Sequence, residues 1–326
     1  MNSRVLLFPL VLSAVAGAAT ALQSAANGAL GTVLGSPAIA ALWSFGSGLA
    51  IVTVIVLCSA RSRQAMGRLY RGLWRREFSL VLSLGGVVGA FLVAVQAFVV
   101  PHLGVALSTI AIIAGNVTAA NVVDWIGFGP GRARRPAAGR LAGSVLIIAA
   151  VVVSSGHRLG DGEGGLWLAA LPFAAGFAMA FQQAANGRVR AFCGDAMTTT
   201  FNNFFVGTAA LAGLVGIMLL AGHRPSGDLP GLADWWMLTG GALGVGFIAV
   251  AAAIVAQLGV LLMGLGNVFG QLFASLAMDA VIPHVGATVT WWTVAGVLLA
   301  LVGMVIASLP GGRRRGGGRR MLPLDE

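Results

Sequence analysis

Ten runs of about twenty apolar residues follow one another along this chain, at 5–25, 38–58, 79–100, 103–124, 138–156, 165–186, 198–221, 236–256, 258–280 and 288–309. About 20 such residues are what an α-helix needs to cross a bilayer. In hydrocarbon every backbone N–H and C=O must be satisfied inside the protein, so runs of this kind are helices. What remains of the 326 residues is too short and scattered for a soluble domain. Composition points the same way: 58% of residues are apolar, 9% are charged, and the mean hydropathy is +0.91. A soluble domain carries about 25% charged residues. The 48 glycines show no collagen-like period and lie inside the apolar runs, where small residues let membrane helices approach closely; Gly17, Ala21 and Ala25, or Gly85 and Gly89, have that spacing. The expectation is an all-α integral membrane protein with ten transmembrane helices. The first run resembles a secretory signal, but its pattern recurs near residue 170, so it is read as a retained helix.

That recurrence is extensive. A shift of 159 positions lays Gly17, Gln23, Asn27, Gly28, Gly35, Phe45 and Gly48 over Gly176, Gln182, Asn186, Gly187, Gly194, Phe204 and Gly207. A shift of 155 pairs Gly85, Gly89, Gly104, Gly115 and Asp124 with Gly240, Gly244, Gly259, Gly270 and Asp279. The chain therefore reads as a first five-helix repeat over 1–157, a second over 158–310, and a basic tail over 311–326. All twenty basic residues are Arg. With the N-terminus placed in the cytoplasm, eighteen of them fall on the inner side and two, Arg158 and Arg224, on the outer, as the positive-inside rule requires. Five helices per repeat then invert the second repeat relative to the first, an architecture with its binding site near the bilayer midplane. The net charge of +10 accordingly records orientation and contact with anionic lipid headgroups. No nucleic-acid partner is expected.

The segment LQSAANGALGTVLGSPAIAALWSFGSG, its echo FQQAANGRVRAFCGDAMTTTFNNFFVG, and the Gly115-Asn116 and Gly270-Gln271 pairs resemble the YdcZ-type family of the drug/metabolite transporter superfamily, in its fused ten-helix, EamA-like form. The resemblance covers essentially all ten helices. It implies a bacterial inner-membrane, multi-pass protein that exports small molecules. Two departures show that the halves have diverged: Asn116 stands where the family's Gly-Gln pair has Gln, and Trp43-Ser44 faces Asn202-Asn203.

Six amides recur as pairs or mid-span singles. Gln23 with Asn27, and Gln182 with Asn186, lie four apart on one helix face. They either line a solute cavity or hydrogen-bond neighbouring helices. Asn202 and Asn203, beside Thr198 to Thr200, either line the pathway or cap a helix start. Asn116 and Gln271 sit in mid-span, where a lone amide needs a partner. Together these eight residues are the expected substrate contacts. Asp124 and Asp279 are the two carboxylates inside the apolar runs. Both lie near a helix C-terminus, where the helix dipole disfavours an acid; they are read as gates or proton-exchange points, or, for Asp124, as an interfacial acid paired with the arginines at 132–140.

Other features carry less. His102, His157, His223 and His284 fall in four separate outer loops, so no metal site is expected. Trp125, Trp167, Trp235, Trp236, Trp291 and Trp292 fit an interfacial belt. Cys58 and Cys193 lie near the cytoplasmic face, where thiols stay reduced. The chain has no Lys, and therefore no phosphate-binding G-x-x-x-x-G-K-[ST] loop, and it shows no nucleophile–base or H-E-x-x-H constellation. The sequence reads as a secondary carrier for small polar or amphipathic solutes, working by alternating access, without cofactor, with a homodimer left open. A non-transporting membrane scaffold or sensor is the alternative.

Overall fold

A computed structural model describes residues 3–129, 133, 135–156, 165–282 and 289–309. The basic tail, His157, Arg158 and His284, and the boundary drawn between the two repeats, lie outside the described residues. All regular structure among the described residues is helical: α1 Ser3–Val33, α2 Pro37–Cys58, α3 Ala60–Trp74, α4 Leu80–Ser83, α5 Gly85–Leu103, α6 Val105–Ile126, α7 Ala138–Ser154, α8 Gly165–Cys193, α9 Ala196–Leu220, a 3-10 turn Leu232–Thr239, α10 Gly240–Val281 and α11 Trp291–Ser308. Eight stretches among the described residues are long and apolar enough to cross a membrane, and α7 is a shorter apolar helix.

Three places compare the elements with the expectation. First, α1 and α8 continue to Val33 and Cys193, well past the expected ends at 25 and 186. The amides that interrupt the apolar pattern are themselves helical, and the helices stop only before Gly35 and Gly194, with φ of 60° and 79°. Second, α10 holds the runs at 236–256 and 258–280 as two helical segments that meet at Gly259 (φ 71°, ψ 164°), where a tight turn between them is expected. The same conformation occurs at Gly104 (φ 84°, ψ 167°), which separates α5 from α6. Positive φ is open to Gly at little steric cost, so glycine 155 positions apart marks both bends.

Third, the Arg-rich connection between 59 and 79 holds the amphipathic helix α3. Ser59 opens it by accepting from the Ser62 N–H at 3.2 Å. Ala65 and Leu69 are buried against Val189 and Cys193 of α8, while Trp74 at its end is 90% exposed. Arg68 donates from Nε and Nη2 to the Cys193 carbonyl at 3.1 and 2.7 Å, and Arg61 donates to the Gly194 carbonyl at 3.3 Å. These three bonds satisfy carbonyls that the end of α8 leaves without helical partners. The next helix, α9, starts at Asp195, whose carboxylate accepts from the Thr198 N–H and hydroxyl at 2.8 and 2.9 Å. Burial pushes the Asp195 carboxyl up, but the hydrogen bonds from Thr198 and Ser62 and the nearby Arg61 charge outweigh it and hold the group below its ordinary range. Asp195, rather than Asn202 or Asn203, is therefore the cap of α9.

The helices pack as α1 on α10, α8 on α5 and α6, α2 on α9, and α7 on α11. Lipid tails are as apolar as Leu, so surface fit must supply the attraction between membrane helices. Glycines supply it at the tightest points. A Cβ on Gly17 of α1 would collide with the Asn267 carbonyl oxygen of α10, and one on Gly270 with the Ala14 carbonyl oxygen. A Cβ on Gly176 of α8 would collide with the Ile112 carbonyl oxygen of α6, and one on Gly115 with that of Phe173. Each contact in the second crossing lies 159 and 155 positions from its counterpart in the first. The relation extends to Gly86 against Asn203 and Gly241 against Ser44. Phe45 and Phe204, which the shift superimposes, meet each other with ring centroids 5.2 Å apart.

Gly17→Val should force the α1–α10 crossing apart and lower stability by about 1–3 kcal/mol. Gly46→Ala, at a position where a Cβ meets nothing within 4 Å, should be silent. Thermal unfolding of both variants in detergent checks the contrast, and equal melting temperatures would sink it.

Candidate functional site: an amide-lined cavity

A cavity of about 460 Å³ lies between the helices, with a wall drawn from α1, α2, α5, α6, α8, α9, α10 and α11. That volume falls within the range of small-molecule sites, about 300–1,000 Å³. Six of the eight amides expected to contact substrate are on its wall: Gln23, Asn116, Gln182, Asn186, Asn203 and Gln271. The helix face shared by Gln23 and Asn27, and by Gln182 and Asn186, explains why α1 and α8 both deliver amides to one place. Another concavity, lined by Arg63, Gln64, Arg68 and Arg71, is a groove on the surface of α3 alone and lacks the facing wall a solute site needs.

Asn27 and Asn202 are not on the wall. Asn27 is fully buried and donates from Nδ2 to Gln96 Oε1 at 3.0 Å. The position that the repeat matches to Gln96 is Ala251, which offers no amide, and the counterpart Asn186 is on the cavity wall. Asn202 donates from Nδ2 to the Ser83 carbonyl at 2.7 Å, and the Tyr70 hydroxyl reaches Asn202 Oδ1 at 3.5 Å. Burial of Tyr70 pushes its phenol pKa up, which keeps that hydroxyl a donor. The residue matched to Asn202 is Trp43, and its indole Nε1 donates to the Leu238 carbonyl at 3.1 Å. Leu238 is itself 155 positions beyond Ser83. Two unlike side chains thus make the same bond from α2 and from α9, which is why Trp43-Ser44 can face Asn202-Asn203 in the repeat.

The wall also contains amides that the repeat pattern did not single out: Gln96, Gln183 and Asn267. Gln96 and Asn267 are isolated polar residues inside apolar runs, the signal that drew attention to Asn116 and Gln271. They escape a repeat-based reading because their counterparts are Ala251 and Ile112. In all, nine carboxamides and the hydroxyl residues Thr20, Ser44 and Thr200 share the wall with Phe45, Phe204 and Phe247, and none of the described wall residues is ionisable.

The two acids stand elsewhere, at opposite ends of α6. Nineteen residues separate Val105 from Asp124, a rise of about 29 Å. Asp124 pairs with Arg140 at the start of α7. Asp279 is buried, 8% exposed, and its two carboxylate oxygens accept from the Val105 and Ala106 N–H groups at 2.7 and 2.9 Å. An acid at the C-terminal end of α10 is thereby placed at the N-terminus of α6, where the helix dipole favours negative charge. No group of three His, Cys, Asp or Glu that could hold a metal ion occurs among the described residues, and Cys58 and Cys193 are free.

A bundle of apolar helices around a polar cavity is an arrangement that membrane transporters have. The chain belongs to the family described as "Putative inner membrane exporter, YdcZ", whose model matches residues 8–153 and 167–306. No curated protein and no solved structure matches the chain. The protein is thus a multi-pass inner-membrane protein of the drug/metabolite transporter type.

Asn27→Ala removes a buried hydrogen bond and should cost about 1–3 kcal/mol, whereas Asn186→Ala, on the cavity wall, should leave stability within about 0.5 kcal/mol. Melting temperatures of the two variants compare them directly. A larger loss for Asn186→Ala would contradict this division between a structural and a wall-lining amide.

Proposed function

We propose that the chain is a secondary carrier that exports small polar or amphipathic solutes, with two inverted five-helix repeats moving about the amide-lined cavity so that it opens to one side of the membrane at a time. The observation that carries this reading is the wall itself: matched amides of both halves, Gln23 with Gln182 and Asn116 with Gln271, converge on one charge-free cavity. Ten spans follow if α7 and the part of α10 beyond Gly259 are counted with the eight longer stretches. The inverted pairing is supported by the equivalent glycine crossings, by the shared backbone conformation of Gly104 and Gly259, and by two matched segments that fall on either side of residues 154–166. The arginine distribution supports cytoplasmic N- and C-termini.

The residues assigned to solute contact are Gln23, Asn116, Gln182, Asn186, Asn203 and Gln271. Asn27 is assigned to holding Gln96, and Asn202 to bonding α9 to the Ser83 carbonyl. Asp124 and Asp279 stand off the wall and are assigned to gates at the two ends of α6. No enzymatic step, metal or cofactor enters the mechanism.

Deleting the gene should raise the intracellular level of at least one small solute and lower it in the medium, and the wild-type chain should reverse both changes. Gln182→Leu should fail to reverse them although it reaches the membrane in normal amount. Untargeted metabolite profiling of the three strains reads the outcome. Identical pools in all of them would remove the export reading in favour of a scaffold or sensor.

A further inference from the structure

The composition of the wall restricts what the cavity can hold, beyond the statement that something small is carried. We infer that its solute is uncharged, carries several hydroxyl or amide groups, and has an apolar ring face. This rests on the reading of the cavity as the solute site, and it follows from three observations.

The first is the absence of ionised groups from the described residues of the wall, together with the engagement of the nearby charges. Arg188 is only two residues from Asn186, yet its guanidinium donates to the Gly127 and Gly129 carbonyls at 3.3 and 3.4 Å and lies 5.0 Å above the Phe128 ring. Asp279 is held by the start of α6, and Asp124 pairs with Arg140. Taking an ion out of water costs several kcal/mol unless an opposite charge offsets it. This wall supplies none.

The second observation is the state of the amides. The side-chain amides of Gln23, Gln182, Gln183, Asn186, Asn203 and Gln271 hydrogen-bond to no other described residue, unlike those of Asn27 and Asn202. Asn267 Oδ1 is buried and accepts no hydrogen bond from any described residue. Each carboxamide offers two donors and an acceptor, and a buried acceptor without a donor is costly. A solute with O–H or N–H groups satisfies these atoms, whereas a purely apolar solute would strand them.

The third is the aromatic side. Phe45 and Phe204 meet at 5.2 Å, tilted by 54°, and share the wall with Phe247 and Met179. They give an apolar surface on which a ring can lie.

Three probes of one scaffold separate the possibilities: 4-nitrophenyl β-glucoside, its glucuronide, and its 2-amino-2-deoxy analogue at a pH that keeps the amine protonated. Binding to the full chain in lipid nanodiscs is measured by thermal shift and by equilibrium dialysis at millimolar probe. The glucoside should bind and raise the melting temperature, and the anion and the cation should bind at least about tenfold more weakly. Gln182→Leu and Gln271→Leu should each weaken glucoside binding without lowering the melting temperature of the unliganded protein. Equal or tighter binding of either charged probe, or binding of none of the three, overturns the inference. Counterflow of the glucoside in proteoliposomes is measured in parallel: binding without flux would sink the carrier reading while leaving the selectivity for uncharged solutes in place.

Discussion

Helices already dissolved in lipid gain nothing from hiding apolar surface against one another, so their association depends on how closely their backbones can approach. In this chain that constraint is met at Gly17, Gly115, Gly176 and Gly270, where a single methyl group would run into a carbonyl oxygen of the facing helix. The crossings of α1 with α10 and of α8 with α6 hold the bundle, and both lie one or two turns from the amides. Moving the α1–α10 crossing apart would displace Gln23 and Gln271, and moving the α8–α6 crossing apart would displace Gln182 and Asn116. Packing and solute recognition are therefore coupled through the same four helices.

The division of labour among the amides follows from what each one faces. Asn27 finds Gln96 and becomes a strut; Asn186, its match, lies beside Gly85 of α5 and is left to the cavity. Asn202 finds the Ser83 carbonyl, and Trp43 makes the equivalent bond with an indole. One ancestral pattern thus yields two slightly different halves, and the cavity between them is polar without being symmetric. The acids follow the same logic: Asp279 caps α6, while Asp124 answers to Arg140.

Much of this was legible in the sequence. The apolar runs marked the spans, the shifts of 159 and 155 marked the pairing of residues, and the recurring amides marked five residues of the wall, with Asn203 a sixth. What was not legible has physical causes. The amphipathic α3 is concealed by its arginines, although Ala65, Leu69 and Leu73 carry the four-residue spacing of a buried stripe. Gln96 and Asn267 lack amide counterparts, so comparison of the halves passes over them. Nothing local distinguishes Asn27 from Asn186, since the difference lies in the facing helix.

The two indole- and amide-to-carbonyl bonds, Trp43 to Leu238 and Asn202 to Ser83, are related by the repeat and suit latches at opposite ends of the proposed carrier. Spin labels placed beside them in a cysteine-free background, at 46 with 232 and at 205 with 77, measure both ends by pulsed electron double resonance in nanodiscs. Alternating access predicts that a bound solute shifts the two distance distributions in opposite directions, one lengthening as the other shortens. Two distances that stay fixed, or that change together, would contradict it.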